Sequence, residues 1–144
     1  MKNLITKIPV TQLIFIAFLL IFIPVFVLYS IYIDIVFANG SSSPPLFTIA
    51  LLSKSFIKLV IVLYCILNAT FLVRDSKHAA ISTYILLGII LLSPLLIEIP
   101  FIILEIFIDS PNFVFEDILN RIPITAIFSI SWFLYFRKAR KFKT

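Results

Sequence analysis

Four apolar stretches, each long enough to cross a bilayer as a helix, leave this chain few folds to choose from. An α-helix rises ~1.5 Å per residue, so about 20 residues cover a hydrocarbon layer ~30 Å thick. The first stretch covers residues 8–33, with Thr11, Gln12 and Ser30 as polar interruptions. The second covers 46–73. The third covers 79–97 and continues through Glu98 and Glu105 to 108, and the fourth covers 118–136. Without water, every backbone N–H and C=O needs an internal partner, so spanning segments are helices or closed barrels. Barrel strands alternate apolar and polar residues, and these stretches do not. The pattern predicts an all-α membrane protein, a four-helix bundle forming one integral membrane domain over residues 1–144.

Composition agrees with that class. The 144 residues are 62% hydrophobic and 13% charged, whereas soluble domains sit nearer half apolar and a quarter charged. Lys2 and Lys7 precede the first block, and Val36-Phe37-Ala38 resembles a cleavage site. The block is much longer than the roughly 7–15 apolar residues of a signal peptide, which favours a retained span. Asn39-Gly40-Ser41-Ser42-Ser43-Pro44-Pro45 reads as a loop and Arg74-Asp75-Ser76-Lys77-His78 as a polar turn. The segment 109–120 reads as a loop or surface helix.

Basic residues orient the spans. Lys2 and Lys7 precede the first block, Arg74 and Lys77 lie in the middle turn, and Arg137, Lys138, Arg140, Lys141 and Lys143 follow the last block. On the opposite side the connections carry only Arg121. Nine against one places both termini and the middle turn in the cytoplasm. The net charge of +5 therefore marks membrane orientation, and no basic face interleaved with aromatics points to nucleic acid. The five tail charges are candidate contacts for anionic lipid headgroups, worth about 1 kcal/mol each near the surface.

Prolines shape the helices. Pro24, Pro94 and Pro100 fall inside helical blocks and should kink them. Pro123 suits the first turn of a helix starting near Ile122. Comparison of the two halves gives no internal repeat, which argues against an inverted-repeat transporter.

Charges inside the apolar blocks are the candidate site. Lys54 and Lys58 share one helix face, as do Glu98 and Glu105. Counted inward from the block ends, Lys54 and Glu98 lie at similar depth in antiparallel neighbours, so opposite charges could pair. One reading is an intramembrane polar site for a proton, an ion or an anionic headgroup. The favoured reading shortens the spans to 56–73 and 79–97, leaving Lys54, Glu98, Glu105 and Asp34 at the outer interface and Lys58 snorkelling along its own helix.

Other polar residues have plainer roles. Ser82, Thr83, Thr125, Ser129 and Ser131 suit helix packing, and Asp117 and Arg121 suit a surface pair. His78 suits a solvated turn. Trp132 and Tyr135 fit an aromatic belt. Cys65 has no cysteine partner in the chain and fits a small buried hydrophobe. The chain lacks HExxH, a Ser/His pair and an Asp pair, so no catalytic residue, metal site or cofactor is assigned and a non-enzyme is expected.

The run Trp132-Phe133-Leu134-Tyr135-Phe136-Arg137-Lys138-Ala139-Arg140-Lys141-Phe142-Lys143-Thr144 resembles the end of an uncharacterised bacterial four-helix membrane family. That family, a domain of unknown function, typically closes with Trp-x-x-Tyr-Phe, a basic residue, Ser, Arg-Val and a final Thr-Phe. Trp132, Tyr135, Phe136, Lys138 and Thr144 fall in register. Ala139, Lys141 and Phe142 replace the Ser, Arg and Val, the terminal Phe is missing, and so is an N-terminal Gly-Trp-Leu. The resemblance implies a bacterial inner-membrane protein and supplies no activity.

These features point to a small non-enzymatic inner-membrane protein, an accessory or interaction subunit packing against a membrane-protein partner or a second copy. Two alternatives stay open: an immunity protein against a pore-forming bacteriocin, and a small ion or proton transporter or channel using Lys54, Lys58, Glu98 and Glu105.

Overall fold

The computed structural model describes residues 8–40, 44–74, 78–108 and 113–138, which are almost entirely helical with no strand among them. Helix α1 consists of an α-helical segment Val10–Ala17, a widened π turn Phe18–Phe22 and a second α-helical segment Ile23–Gly40. Helices α2, α3 and α4 cover Pro45–Val73, Ala79–Ile108 and Phe113–Lys138. Each of the four is long and apolar enough to cross a membrane.

Two boundaries differ from the sequence reading, for one reason. Helix α1 runs past residue 33 to Gly40, taking in Asp34 and the Val36-Phe37-Ala38 segment, and α4 begins at Phe113 rather than 118. Neither 34–39 nor 113–121 contains Gly or Pro. A charge can mark the edge of an apolar block without stopping the backbone ladder, whereas Gly and Pro disrupt it. Pro123 accordingly lies inside α4, not in its first turn. Prolines do start two helices: Pro9 caps α1, Pro44 caps α2 and Pro45 opens it, where a missing N–H has no consequence.

Two interior prolines, Pro24 and Pro94, are accommodated locally. The ring of Pro24 would press on the carbonyl four residues earlier, that of Leu20, which lies within the widened turn. Pro94 cannot donate to the carbonyl of Ile90, and the Ser93 hydroxyl donates to that oxygen at 2.8 Å. A side chain thus replaces the missing backbone bond, as a helix in lipid requires.

Contacts fix an up-down-up-down bundle. Asp34 of α1 meets Lys58 of α2, while Lys54 meets Glu98 of α3 and Tyr64 meets Ser82 nearer the other end. Glu98 meets Arg121 of α4, and the Tyr84 ring lies 5.4 Å from that of Phe133. Every consecutive pair is therefore antiparallel. Helix α1 also touches α4, through a knot of rings. Phe15 lies 4.5 Å from Trp132 and 5.0 Å from Phe136, and Phe18 lies 5.0 Å from Phe128, centroid to centroid. Trp132 and Tyr135 belong to this knot, 5.5 Å apart and half-buried. The core continues through Leu19, Cys65, Ala69, Leu72 and Leu86, and Cys65 is a free, fully buried thiol.

The side of α1 that faces the bundle follows one stripe: Gln12, Phe15, Leu19, Ile23, Val27, Ser30, Asp34 and Ala38, each buried or half-buried. That stripe carries aromatic packing at one end and ionic contacts at the other.

Candidate functional site

Lys54 and Lys58 stand one turn apart on α2 and serve different neighbours. Lys58 Nζ lies 2.5 Å from Asp34 Oδ2 and donates to Ser30 Oγ at 2.8 Å, both on α1. Ser55 Oγ donates to the same Asp34 oxygen at 3.3 Å. Lys54 Nζ turns to α3, 2.5 Å from Glu98 Oε1, with its ammonium 5.1 Å from the centre of the Phe101 ring. That ring face offers the cation a weak additional attraction.

Glu98 extends the network to the fourth helix. Arg121 donates from Nη1 to Glu98 Oε1 at 3.4 Å, and its Nη2 lies 2.5 Å from Asp117 Oδ2. Burial falls off along the series. The Glu98 and Lys58 side chains are 3% and 5% exposed, whereas Arg121 and Asp117 are 46% and 47% exposed. Three cations, Lys54, Lys58 and Arg121, face three carboxylates, Asp34, Glu98 and Asp117. A buried charge is costly unless paired and hydrogen-bonded, and each of these has a partner of opposite sign.

Of the four candidate residues, the structure joins Lys54 to Glu98 and gives Lys58 to Asp34. Glu105 stands two turns beyond Glu98 on α3 and is half-buried. Helices α2 and α3 run unbroken through the segments that shortened spans would make separate. Lys58 reaches across to α1 instead of snorkelling along its own helix. Asp117 and Arg121 do pair, and Arg121 also serves Glu98. Asp34, Ser30 and Ser55 complete the site without having been singled out as members of it. The available signal was position: Ser30, Asp34 and Ala38 recur at helical spacing on the bundle-facing stripe.

A second polar group joins α2 to α3. Asn68, fully buried, donates to Ser82 Oγ at 2.9 Å and to Thr83 Oγ1 at 3.2 Å. Ser82 Oγ donates to Tyr64 Oη at 3.4 Å, and Thr83 Oγ1 donates back to the Ala79 carbonyl at 2.7 Å. Ser82 and Thr83 were expected at a packing surface; their centre, Asn68, is a lone amide in an apolar run. Thr125 bonds back to the Arg121 and Ile122 carbonyls. Ser129 Oγ is buried and has no hydrogen-bond partner among the described residues.

Of the tail cations, Arg137 and Lys138 are exposed in the last turn of α4, where positive charge complements the helix dipole. Arg140, Lys141 and Lys143 lie outside the described residues. Among the described residues no group of three or more His, Cys, Asp or Glu is placed to hold a metal ion. What the charge network can do is fix the relative depth of four helices, since each contact is directional and falls off steeply with distance. No family model matches this chain, and no curated protein or solved structure matches it.

Proposed function

We propose that this chain is a non-enzymatic protein of a bacterial inner membrane, with both termini cytoplasmic, that acts through helix contacts with a membrane-protein partner. The observation that carries the reading is the matching of charges within the bundle. Asp34, Glu98 and Asp117 each lie against a basic side chain of the same chain, and the two lysines on α2 are committed to α1 and α3. A site that passes a proton or an ion must exchange partners during its cycle, whereas this one holds helices in register. The surfaces left for recognition are then the outward helix faces. Orientation draws support from Arg74, Arg137 and Lys138, which share the end of the bundle opposite the charge network.

The test combines partner capture with flux. The full chain is cross-linked in native membranes and its partners are identified, while purified protein in liposomes is assayed for ion and proton conduction. A membrane protein recovered in fixed ratio, with liposomes no leakier than empty ones, is the expected result. Conduction by wild type that Glu98→Gln abolishes would replace this reading with transport.

A further inference from the structure

The helix least suited to lipid is the one most exposed to it. Among the four spans α4 has the lowest mean hydropathy, yet only 11% of its apolar 18-residue window is buried inside the bundle, against 22–33% for the others. Over Pro45–Val73 and Ala79–Phe107, every exposed side chain is apolar. Helix α4 differs, exposing Asn120, Arg121 and Ser131 as well as its terminal cations. Dispersion and hydrogen bonding, not apolar burial, hold helices together in lipid, and Asn and Ser are favoured where helices meet.

Two of those polar residues lie on one line. Asn120, Ile124, Ile127, Ser131 and Leu134 are all exposed and follow the 4-3-4-3 spacing of a left-handed helix-pairing seam. The line is about 21 Å long at helical rise, most of the way across a hydrocarbon core. Its two polar groups sit three turns apart. Each combines donor and acceptor, so each can pair with its own image. Self-complementarity of this kind is what an isologous interface requires.

We infer that the outward seam of α4, Asn120–Ile124–Ile127–Ser131–Leu134, pairs with the same seam of a second copy in a parallel two-fold dimer. This inference rests on the reading that the chain works through helix contacts, and names the partner as the chain itself. Asn120 meets Asn120 near one boundary. Ser131 meets Ser131 deeper in, where a small side chain lets the backbones approach.

Disulfide mapping of the full chain in membranes tests it, in a Cys65→Ser background. Ile124→Cys and Ile127→Cys on α4 are compared with Leu63→Cys on α2 and Ile103→Cys on α3, which are also lipid-exposed. The expected result is a covalent dimer from the α4 positions under mild oxidation and none from the others. Asn120→Leu with Ser131→Leu should weaken association in liposomes at least tenfold by energy transfer between labelled copies, without loss of the helical circular dichroism signal. Equal cross-linking at all four positions, or a monomer at every protein-to-lipid ratio, overturns the inference. Should a monomer still capture a different membrane protein, only the dimer is lost and the broader reading stands; a monomer that captures nothing removes both.

Discussion

Lys58 on α2 lies 2.5 Å from Asp34 on α1, and the two side chains are 5% and 13% exposed. Removing one member of such a pair leaves a buried charge uncompensated, at a cost of about 3–5 kcal/mol. Asp34→Leu and Lys58→Met are each expected to destabilise the bundle by this order. The double substitution Asp34→Leu with Lys58→Met should recover most of the loss. Reversible unfolding in mixed micelles measures all three; a double variant as unstable as the sum of the singles would contradict a direct pair.

Glu98 and Arg121 share a bond but not an environment. Glu98→Gln withdraws the charge facing both Lys54 and Arg121, and is expected to cost about 3–5 kcal/mol. Arg121→Gln removes a half-exposed partner that water or headgroups can replace, and should cost under about 1 kcal/mol. The same unfolding measurement checks the order, and near-equal losses would mean that Arg121 is as firmly committed as Lys54.

The aromatic knot gives a contrast within α1. Phe15 is fully buried against Trp132 and Phe136, while Phe26 is 68% exposed. Phe15→Ala should cost about 3–5 kcal/mol through cavity formation. Phe26→Ala exchanges lipid contact for lipid contact and should change thermal stability in bilayers little.

Ser93 and Pro94 should be coupled. Ser93→Ala removes the hydroxyl that satisfies the Ile90 carbonyl, costing about 1 kcal/mol. In a Pro94→Ala background the backbone N–H of residue 94 can bond that carbonyl, so Ser93→Ala should become nearly neutral. A four-variant cycle in thermal denaturation reads the coupling directly.

Asn68 tests the second polar group. Asn68→Leu removes the donor for Ser82 and Thr83 while preserving bulk, and should cost about 0.6–1.7 kcal/mol, the scale of interhelical hydrogen bonds in membranes. Hydrogen exchange should then rise at the α2–α3 contact before it rises in the aromatic knot.

Four helices were legible because burying backbone in lipid demands long apolar runs, and such runs are visible locally. Lys54 and Glu98 were legible for a related reason: depth can be counted along each block, and opposite charges at equal depth attract. Asp34 was harder to place, since it follows an apolar run and looked like its boundary; its partner sits on another block, and only tertiary packing joins them. Asn68 left no charge signal at all. Trp132 and Tyr135 were legible only as aromatic residues near a span end, a pattern that suits a belt and an inter-helix cluster equally well by sequence.

The widened turn at Phe18–Phe22 sets the phase of α1. Its bundle-facing stripe takes seven steps from residue 12 to residue 38, about one residue more than seven ideal turns need. The π turn absorbs the surplus. Winding the same residues as a uniform α-helix, with none removed, would rotate one half against the other by about 100°. If Phe15 kept its place among the rings, Asp34 would turn away from Lys58; if Asp34 kept its lysine, Phe15 would turn out of the knot. That irregular turn is the joint that lets a single helix engage two neighbours by two kinds of force.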